Sequence, residues 1–258
     1  MWRRLLPIGL SAFLFATTTV GAGAQVDPGF TVVNTYHHDP TAFTEGLAFN
    51  RAGTLYEGTG VKGTSSIRRV ELTTGQVLRR HSLGDRYFGE GVTIIGHRAF
   101  QLTWKQHRAW TYRSRNFETL RRFHYRTEGW GLTDHLGRLF MSDGTSTIRV
   151  RDPKTFEVVR RIAVTDGGNE VTGLNELEWV DGEIFANVWP TDDVVRIDPD
   201  NGNVVGRFSL ASLAQQERDT CDNVQDVTNG IAYMPDQDRL FVTGKYWCHL
   251  YEIELANP

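Results

Sequence analysis

A short motif that occurs five times carries side chains able to do chemistry. Its second position holds, in chain order, Glu45, Glu90, Trp130, Asn175 and Asn229. A carboxylate can accept and return a proton, an amide can hydrogen-bond a polarised carbonyl oxygen, and an indole can form a pocket wall. A purely structural repeat would favour similar residues at one position. The variation at this position therefore indicates a functional site.

A second set of candidates lies where a second apolar run ends in each repeat. The runs end, in chain order, at Gly60, Trp104, Gly144, Trp189 and Lys245. We expect Trp104, Trp130 and Trp189 to converge on one binding pocket, with core packing as the alternative. Lys245 is either a site cation or a solvated rim charge, and Asp143 is interpreted as holding a turn.

The spacing of the motif predicts the elements that must position these residues. Its second positions are 45, 40, 45 and 54 residues apart. Each motif is followed by further short β-rich runs separated by turn signals, which predicts four antiparallel strands per repeat. Radial repetition of such sheets is a β-propeller, so the sequence predicts an all-β fold with five blades. The run 210–218 predicts a short helix in an insertion before the last repeat.

The two ends of the repeat region predict how the ring closes. The fifth repeat stops after a third strand at 249–255, and the chain opens with a lone strand at 30–36. We expect the N-terminal strand to complete the last blade, which would pair that blade's open edge. The starts of the first strands and the ends of the second strands would then share one face of the propeller.

Composition excludes several classes of protein. The chain has 258 residues, 40% of them hydrophobic, and a formal net charge of −3. These values are typical of a globular protein with a core and exclude a disordered chain. Since no basic run is present, a nucleic-acid partner is not expected.

The N-terminus resembles a targeting segment. Arg3 and Arg4 precede an apolar stretch over 5–20, and Ala22-Gly23-Ala24 supplies small residues for cleavage. We interpret 1–24 as a signal peptide, with an uncleaved anchor as the alternative, and expect a single catalytic domain at 25–258, periplasmic or secreted and monomeric. No later segment is predicted to span a membrane. Cys221 and Cys248 are predicted to form a disulfide.

Eight motifs in chain order, between about residues 30 and 255, resemble those of the plant-type glutaminyl-peptide cyclotransferases. They are Ala42-Phe-Thr-Glu-Gly-Leu47, Tyr87-Phe-Gly-Glu-Gly-Val92, Glu128-Gly-Trp-Gly-Leu132, Ser142-Asp-Gly-Thr145, Leu174-Asn-Glu-Leu-Glu178, Ala186-Asn-Val-Trp189, Asn229-Gly-Ile-Ala232 and Phe241-Val-Thr-Gly-Lys245. The resemblance implies a five-bladed propeller with no catalytic metal and no cofactor. It also implies the reaction: an N-terminal glutamine becomes pyroglutamate and ammonia is released.

The resemblance also implies roles for individual residues. Glu90 would move the proton from the attacking α-amine to the departing ammonia, and Lys245 and Asn175 would stabilise the oxyanion. The expected pocket walls are Phe43, Phe88, Trp104, Trp130 and Trp189. Plant members often carry Gln where this chain has Glu45, and the second carboxylate would either anchor the α-ammonium or raise the pKa of Glu90.

Other functions remain as alternatives to this interpretation. A non-catalytic propeller that binds peptide N-termini is one, and a calcium-dependent lactonase-like hydrolase is another. Calcium could use Glu and Asn oxygens in the central channel. Cleavage after Ala24 would expose Gln25, so we expect the chain itself to be among the substrates, alongside other peptides and proteins with N-terminal glutamine.

Overall fold

A computed structural model describes residues 29–222 and 227–256. The expected signal peptide at 1–24 and Gln25 lie outside the described residues. The described chain forms five four-stranded antiparallel sheets, one two-stranded sheet and one helix, which confirms the predicted all-β, five-bladed propeller. No helix within these ranges is long and apolar enough to cross a membrane.

The blades follow one another along the chain. Blade 1 consists of β2 (Thr44–Phe49), β3 (Leu55–Thr59), β4 (Ser66–Val70) and β5 (Val77–Ser82). Blade 2 consists of β6 (Gly89–Ile95), β7 (Arg98–Thr103), β8 (Arg108–Arg113) and β9 (Thr119–His124). Blade 3 consists of β10 (Leu132–His135), β11 (Arg138–Met141), β12 (Thr147–Arg151) and β13 (Val158–Ala163). Blade 4 consists of β16 (Leu174–Val180), β17 (Glu183–Val188), β18 (Asp193–Ile197) and β19 (Val204–Ser209).

The ring closes as the sequence predicts. Blade 5 consists of β20 (Thr228–Met234), β21 (Arg239–Gly244) and β22 (His249–Leu255), with β1 (Phe30–His37) as its outer strand. β1 pairs antiparallel with β22, from Phe30 opposite Leu255 to His37 opposite His249. The inner strands β2, β6, β10, β16 and β20 contact one another in sequence around a central channel.

Two elements lie between blades. The predicted helix is α1 (Ala211–Thr220), which places Leu213, Ala214 and Glu217 in the protein interior. A two-stranded hairpin, β14 (Thr165–Asp166) with β15 (Asn169–Glu170), was not expected from the sequence.

The hydrophobic core lies between adjacent blades. One cluster joins Tyr56 and Ile67 of blade 1 to Val92 and Tyr112 of blade 2, and all four side chains are buried. Exposure increases outward, since the inner strand β2 is buried along most of its length whereas the outer strand β5 is largely exposed. Burial of apolar area between the sheets therefore stabilises the ring and its central channel.

Acidic side chains of the inner strands tie the blades together across the channel. Glu176 of blade 4, which is fully buried, accepts hydrogen bonds from the backbone N–H of Leu47 in blade 1 (3.2 Å) and of Ile231 in blade 5 (2.9 Å). Glu178 accepts from the backbone N–H of Tyr233 and from Thr133 Oγ1, both at 2.9 Å. Inner-strand N–H groups on the channel side have no ladder partner, and these carboxylates satisfy them.

Candidate active site

The candidate residues converge on one face of the propeller because of strand direction. Glu45, Glu90, Asn175 and Asn229 lie near the starts of inner strands, and each antiparallel second strand returns to the same face. Lys245 follows directly after β21 and therefore lies at this face as well. We call this face the site face.

A β-bulge re-aims the side chain at each of these inner-strand positions. The pairing register shifts between Thr44 and Gly46, between Gly89 and Val92, between Leu174 and Leu177, and between Thr228 and Ile231. Bulges commonly turn a side chain out of the strand alternation next to active sites. All four inner-strand candidates lie within these irregular segments, so the bulges direct them to the mouth of the channel.

The glycine that follows Glu90 is required by the closeness of the strands. A Cβ on Gly91 would lie 2.6 Å from the backbone N of Leu132 and 2.6 Å from the carbonyl oxygen of Trp130. In addition, the Gly91 N–H donates to that carbonyl oxygen at 2.8 Å. Glycine therefore allows the inner strand of blade 2 to approach the start of blade 3, and this contact sets the position of Glu90.

Glu45 and Lys245 form a buried ion pair. Lys245 Nζ donates to Glu45 Oε1 at 2.8 Å, and Asn229 Nδ2 donates to Glu45 Oε2 at 3.0 Å. The two charged residues are 2% and 7% exposed, so the interpretation of Lys245 as a solvated rim charge is wrong. Burial raises the pKa of Glu45, and the neighbouring ammonium of Lys245 opposes that rise. Lys245 Nζ also lies 4.4 Å from the centre of the Phe43 ring.

Glu90 is buried without a donor for its carboxyl group. It is 5% exposed, and none of its described neighbours donates a hydrogen bond to its side chain. Burial raises the pKa of Glu90 well above the usual range, the charges of Glu45 and Glu128 raise it further, and Lys245 opposes them. A carboxyl group whose pKa is raised in this way binds a proton more strongly than an exposed carboxyl group does, which suits it to proton transfer.

One side of the site is a continuous row of aromatic rings. The ring centres of Tyr246 and Phe43 lie 5.2 Å apart, those of Phe43 and Phe88 5.8 Å apart, and those of Phe88 and Trp104 5.5 Å apart. Gly60 faces this row, since a Cβ there would lie 2.5 Å from Phe88 Cε1 and 2.9 Å from Phe43 Cδ1. The absence of a side chain at Gly60 therefore leaves the rings room to pack edge to face.

The other expected wall residues lie on blades 3 and 4. The indoles of Trp130 and Trp189 meet edge to face, with ring centres 5.8 Å apart. Trp189 is 47% exposed, so it lies at the rim rather than in the interior. Core packing therefore does not explain Trp189.

Glu128 belongs to the site although sequence reasoning did not select it. Its Oε2 accepts a hydrogen bond from Trp104 Nε1 at 2.6 Å and from Trp130 Nε1 at 3.0 Å. One indication of this role was present in the sequence, since Glu128 is a carboxylate two residues before Trp130 in one of the eight motifs that carry the family resemblance. Sequence spacing alone does not reveal that this carboxylate also reaches Trp104.

Asn175 and Asp143 differ in how far their side chains are engaged. Asn175 is 3% exposed, and no described residue hydrogen-bonds its side-chain amide, which leaves that amide available to a ligand. Asp143 accepts from Thr145 Oγ1 at 2.6 Å and pairs with Arg149 at 2.5 Å. This arrangement confirms that Asp143 holds a turn.

The predicted disulfide is present and lies beside the site. Cys221, directly after α1, is bonded to Cys248, three residues after Lys245, with a Cα–Cα distance of 6.1 Å. Glu217 and His249 bring further ligand-type atoms to these sulfurs, all within 4.8 Å of one another. The two sulfurs are bonded to each other, and Glu217 accepts a hydrogen bond from the Cys248 N–H at 2.8 Å. The sulfurs and Glu217 therefore already have partners within the protein.

A cavity of about 910 Å³ opens on the face opposite the site face. Asp134, Glu178 and Trp179 are among its lining residues, and none of the predicted catalytic or pocket residues lines it. Burial raises the pKa of Asp134 to about 6 and that of Glu178 to about 8. The predicted site and this cavity are therefore separate.

Comparisons with known proteins show which family the chain is similar to. The profile of the glutamine cyclotransferase family matches residues 8–255. The chain is 44% identical to a glutaminyl-peptide cyclotransferase of Arabidopsis thaliana over 227 residues, which are 88% of this chain and 71% of the relative. It superposes on the crystal structure of Myxococcus xanthus glutaminyl cyclase with a TM-score of 0.82 and 35% identity, covering 88% of this chain and 96% of the other.

Proposed function

The chain belongs to the glutamine cyclotransferase family and is a glutaminyl-peptide cyclotransferase, and we propose that it closes N-terminal glutamine into pyroglutamate at the cluster around Glu90. The observation that carries this assignment is the state of Glu90. Its buried carboxyl has no donor among the described residues and lies at the site face with the Lys245–Glu45 pair and the row of aromatic rings. A group placed in this way is suited to proton transfer.

The reaction requires one proton to move within the site. The neutral α-amine attacks the γ-carbonyl carbon of its own side chain, and a C–N bond forms. The α-amine then carries an extra proton, which passes to the Glu90 carboxylate. Glu90 returns that proton to the side-chain amide nitrogen as the bond between this nitrogen and the γ-carbonyl carbon breaks. Ammonia therefore departs, and the Glu90 carboxylate is regenerated. The raised pKa of Glu90 supports this role, because it makes the Glu90 carboxylate a stronger proton acceptor for the α-amine than an exposed carboxylate would be.

Lys245 and Asn175 are proposed to stabilise the tetrahedral intermediate. Attack places negative charge on the former carbonyl oxygen, and preorganised donors lower the energy of that charge. Lys245 supplies a buried ammonium, and Asn175 supplies a buried amide that no described residue engages. Glu45 is proposed to hold Lys245 in place through their 2.8 Å contact. Of the two roles expected for Glu45, the effect of its charge on the pKa of Glu90 supports the second.

The aromatic side chains are proposed to fold the substrate terminus for attack. Phe43, Phe88, Trp104, Trp130 and Trp189 offer apolar walls on which the glutamine methylenes can pack. Holding the amine close to the amide carbon converts a flexible chain end into a near-attack conformer.

Mass spectrometry of a short peptide with N-terminal glutamine tests the proposal. With excess EDTA present, the wild-type protein is expected to convert the peptide with loss of one ammonia, because the proposed chemistry uses no metal. The Glu90→Gln variant is expected to lose about 10²–10⁴-fold in kcat, which is the usual contribution of a general acid–base group. Full activity of this variant would move the proton transfer to another residue, and loss of wild-type activity with EDTA would contradict metal independence.

The comparisons do not favour a binding-only propeller or a lactonase-like hydrolase. We further propose that 1–24 is a cleaved signal peptide, that 25–258 is exported as a monomeric catalytic domain, and that Gln25 is itself cyclised. Intact-mass analysis of secreted protein checks both N-terminal proposals at once. A mature N-terminus other than residue 25, or an unmodified Gln25, would contradict them.

A further inference from the structure

The side chain of Glu128 joins two walls of the site that belong to different blades. Trp104 follows the second strand of blade 2, whereas Trp130 precedes the first strand of blade 3. The same oxygen, Glu128 Oε2, accepts from both indole nitrogens, at 2.6 and 3.0 Å. An oxygen shared by two donors restricts the relative orientation of the two donor groups, because each hydrogen bond prefers a near-linear geometry.

The backbone around Glu128 is held on both sides. The Thr127 carbonyl oxygen lies 2.6 Å from His107 Nδ1, and the Gly129 N–H donates to the Trp104 carbonyl oxygen at 3.2 Å. A Cβ on Gly129 would lie 2.2 Å from Tyr125 Oη, so this segment packs closely against blade 2. The carboxylate of Glu128 is therefore presented to the two indoles from a fixed backbone.

The remaining contact of Glu128 is weaker. Lys105 Nζ lies 3.7 Å from Oε1, and the side chains of Lys105 and Glu128 are 56% and 34% exposed. An exposed ion pair of this kind contributes little to stability. The two indole hydrogen bonds are charge-assisted and are therefore the stronger constraint on the Glu128 side chain.

We propose that Glu128 is a positioning residue that fixes the relative orientation of the Trp104 and Trp130 indoles. This inference rests on the proposed function, in which both indoles are walls of the glutamine pocket. Loss of the shared acceptor would let the two rings rotate independently. The substrate terminus would then be held less well for attack.

Two substitutions separate geometry from charge. In Glu128→Gln the amide oxygen can still accept both indole N–H groups, whereas Glu128→Ala removes the acceptor. We expect Glu128→Ala to lower kcat/KM by about 10- to 100-fold, since small misplacements of a substrate have effects of this size. We expect Glu128→Gln to stay within about threefold of wild type, because it keeps both hydrogen bonds. Glu118→Gln, on an exposed residue at the opposite face, is the control.

NMR spectra of protein with isotope-labelled tryptophan report on the indoles directly. The Trp104 and Trp130 N–H signals, identified with Trp→Phe variants, are expected to move upfield in Glu128→Ala and to stay close to wild type in Glu128→Gln. Wild-type activity in Glu128→Ala would overturn the proposal. Equal losses of kcat/KM in Glu128→Ala and Glu128→Gln, with unchanged indole signals, would also overturn it. Such a result would indicate that Glu128 acts through its charge. If the wild type converts no peptide, the proposed function fails, and the indole signals still decide the positioning.

Discussion

Glu45 and Lys245 are 200 residues apart in the sequence, yet their side chains meet at 2.8 Å in the mouth of the propeller. The ring closure produces this contact, because Lys245 follows the second strand of blade 5 and Glu45 lies on the first strand of blade 1. Breaking a buried pair by removing one partner usually leaves a costly unpaired charge. The pair therefore couples the closure of the fold to the electrostatics around Glu90.

Glu45→Gln should shift the pH dependence of activity. The charge of Glu45 raises the pKa of Glu90, so its removal should lower that pKa. A lower pKa keeps Glu90 ionised at lower pH, and the acid limb of kcat/KM should therefore move to lower pH. Rate measurements across the acid range check this expectation. An unchanged limb, or one that moves to higher pH, would contradict the expectation that the charge of Glu45 raises the pKa of Glu90.

Gly91→Ala should destabilise the protein. The new methyl group would lie 2.6 Å from the backbone of Leu132 and Trp130, and backbone cannot yield as a flexible side chain can. Overpacking of this kind costs about 1–3 kcal/mol. Urea unfolding measures the loss, with Gly84→Ala as control, because a Cβ there would be 3.7 Å from its nearest neighbour, the Tyr87 ring. Equal stability of the two variants would contradict the close approach of the strands.

Removal of the disulfide should lower stability and loosen the site. The bridge closes a loop with a sequence separation of 27 residues, for which the chain-entropy estimate is about 3–4 kcal/mol. Because Cys248 is three residues from Lys245, kcat should fall as well. The Cys221→Ala, Cys248→Ala double variant tests both by thermal unfolding and peptide turnover. A reductant should lower the Tm of the wild type and leave that of the double variant unchanged.

Lowering the pH should reduce the free energy of unfolding, because Glu57 becomes protonated. This buried carboxylate pairs with Arg68 Nη2 at 2.7 Å and with His38 Nε2 at 3.1 Å. Burial alone would raise the pKa of Glu57, but the charges of Arg68 and His38 outweigh it and hold the pKa at about 2. The folded pKa lies below the ordinary value of 4.5, so the stabilisation is present above that pH and disappears as the pH falls toward 2.

The free energy of unfolding should therefore fall by about 3 kcal/mol across that range on account of Glu57. Urea unfolding between about pH 5 and pH 3 checks the trend, and Glu57→Gln should show a shallower slope. A slope equal to that of the wild type would exclude Glu57 as the source. His38 has the opposite pH dependence, because its pKa in the folded protein is raised above 6.5. Its contribution to the free energy of unfolding is present below pH 6.5 and is lost as the pH rises through the pKa of the folded state.

Much of the architecture was predictable from local patterns. The motif intervals, turn signals and β-rich runs indicated five blades, and the unmatched strand at 30–36 indicated how the ring closes. These features are local, because alternation and turn chemistry depend on residues close together in the chain. The repeated second position of the motif likewise predicted that Glu90 and Asn175 lie near the starts of inner strands, at the site face.

Only the tertiary structure decided the distances between residues that lie far apart in the sequence. The bulges that aim Glu90, the contact of Lys245 with Glu45, and the oxygen of Glu128 shared by Trp104 and Trp130 all depend on how neighbouring strands pack. The sequence by itself determined which chemical groups reach the site face, because strand order and direction follow from the repeats. Packing between blades decided which of those groups touch, since hydrogen bonds and charge interactions change steeply over a few ångströms.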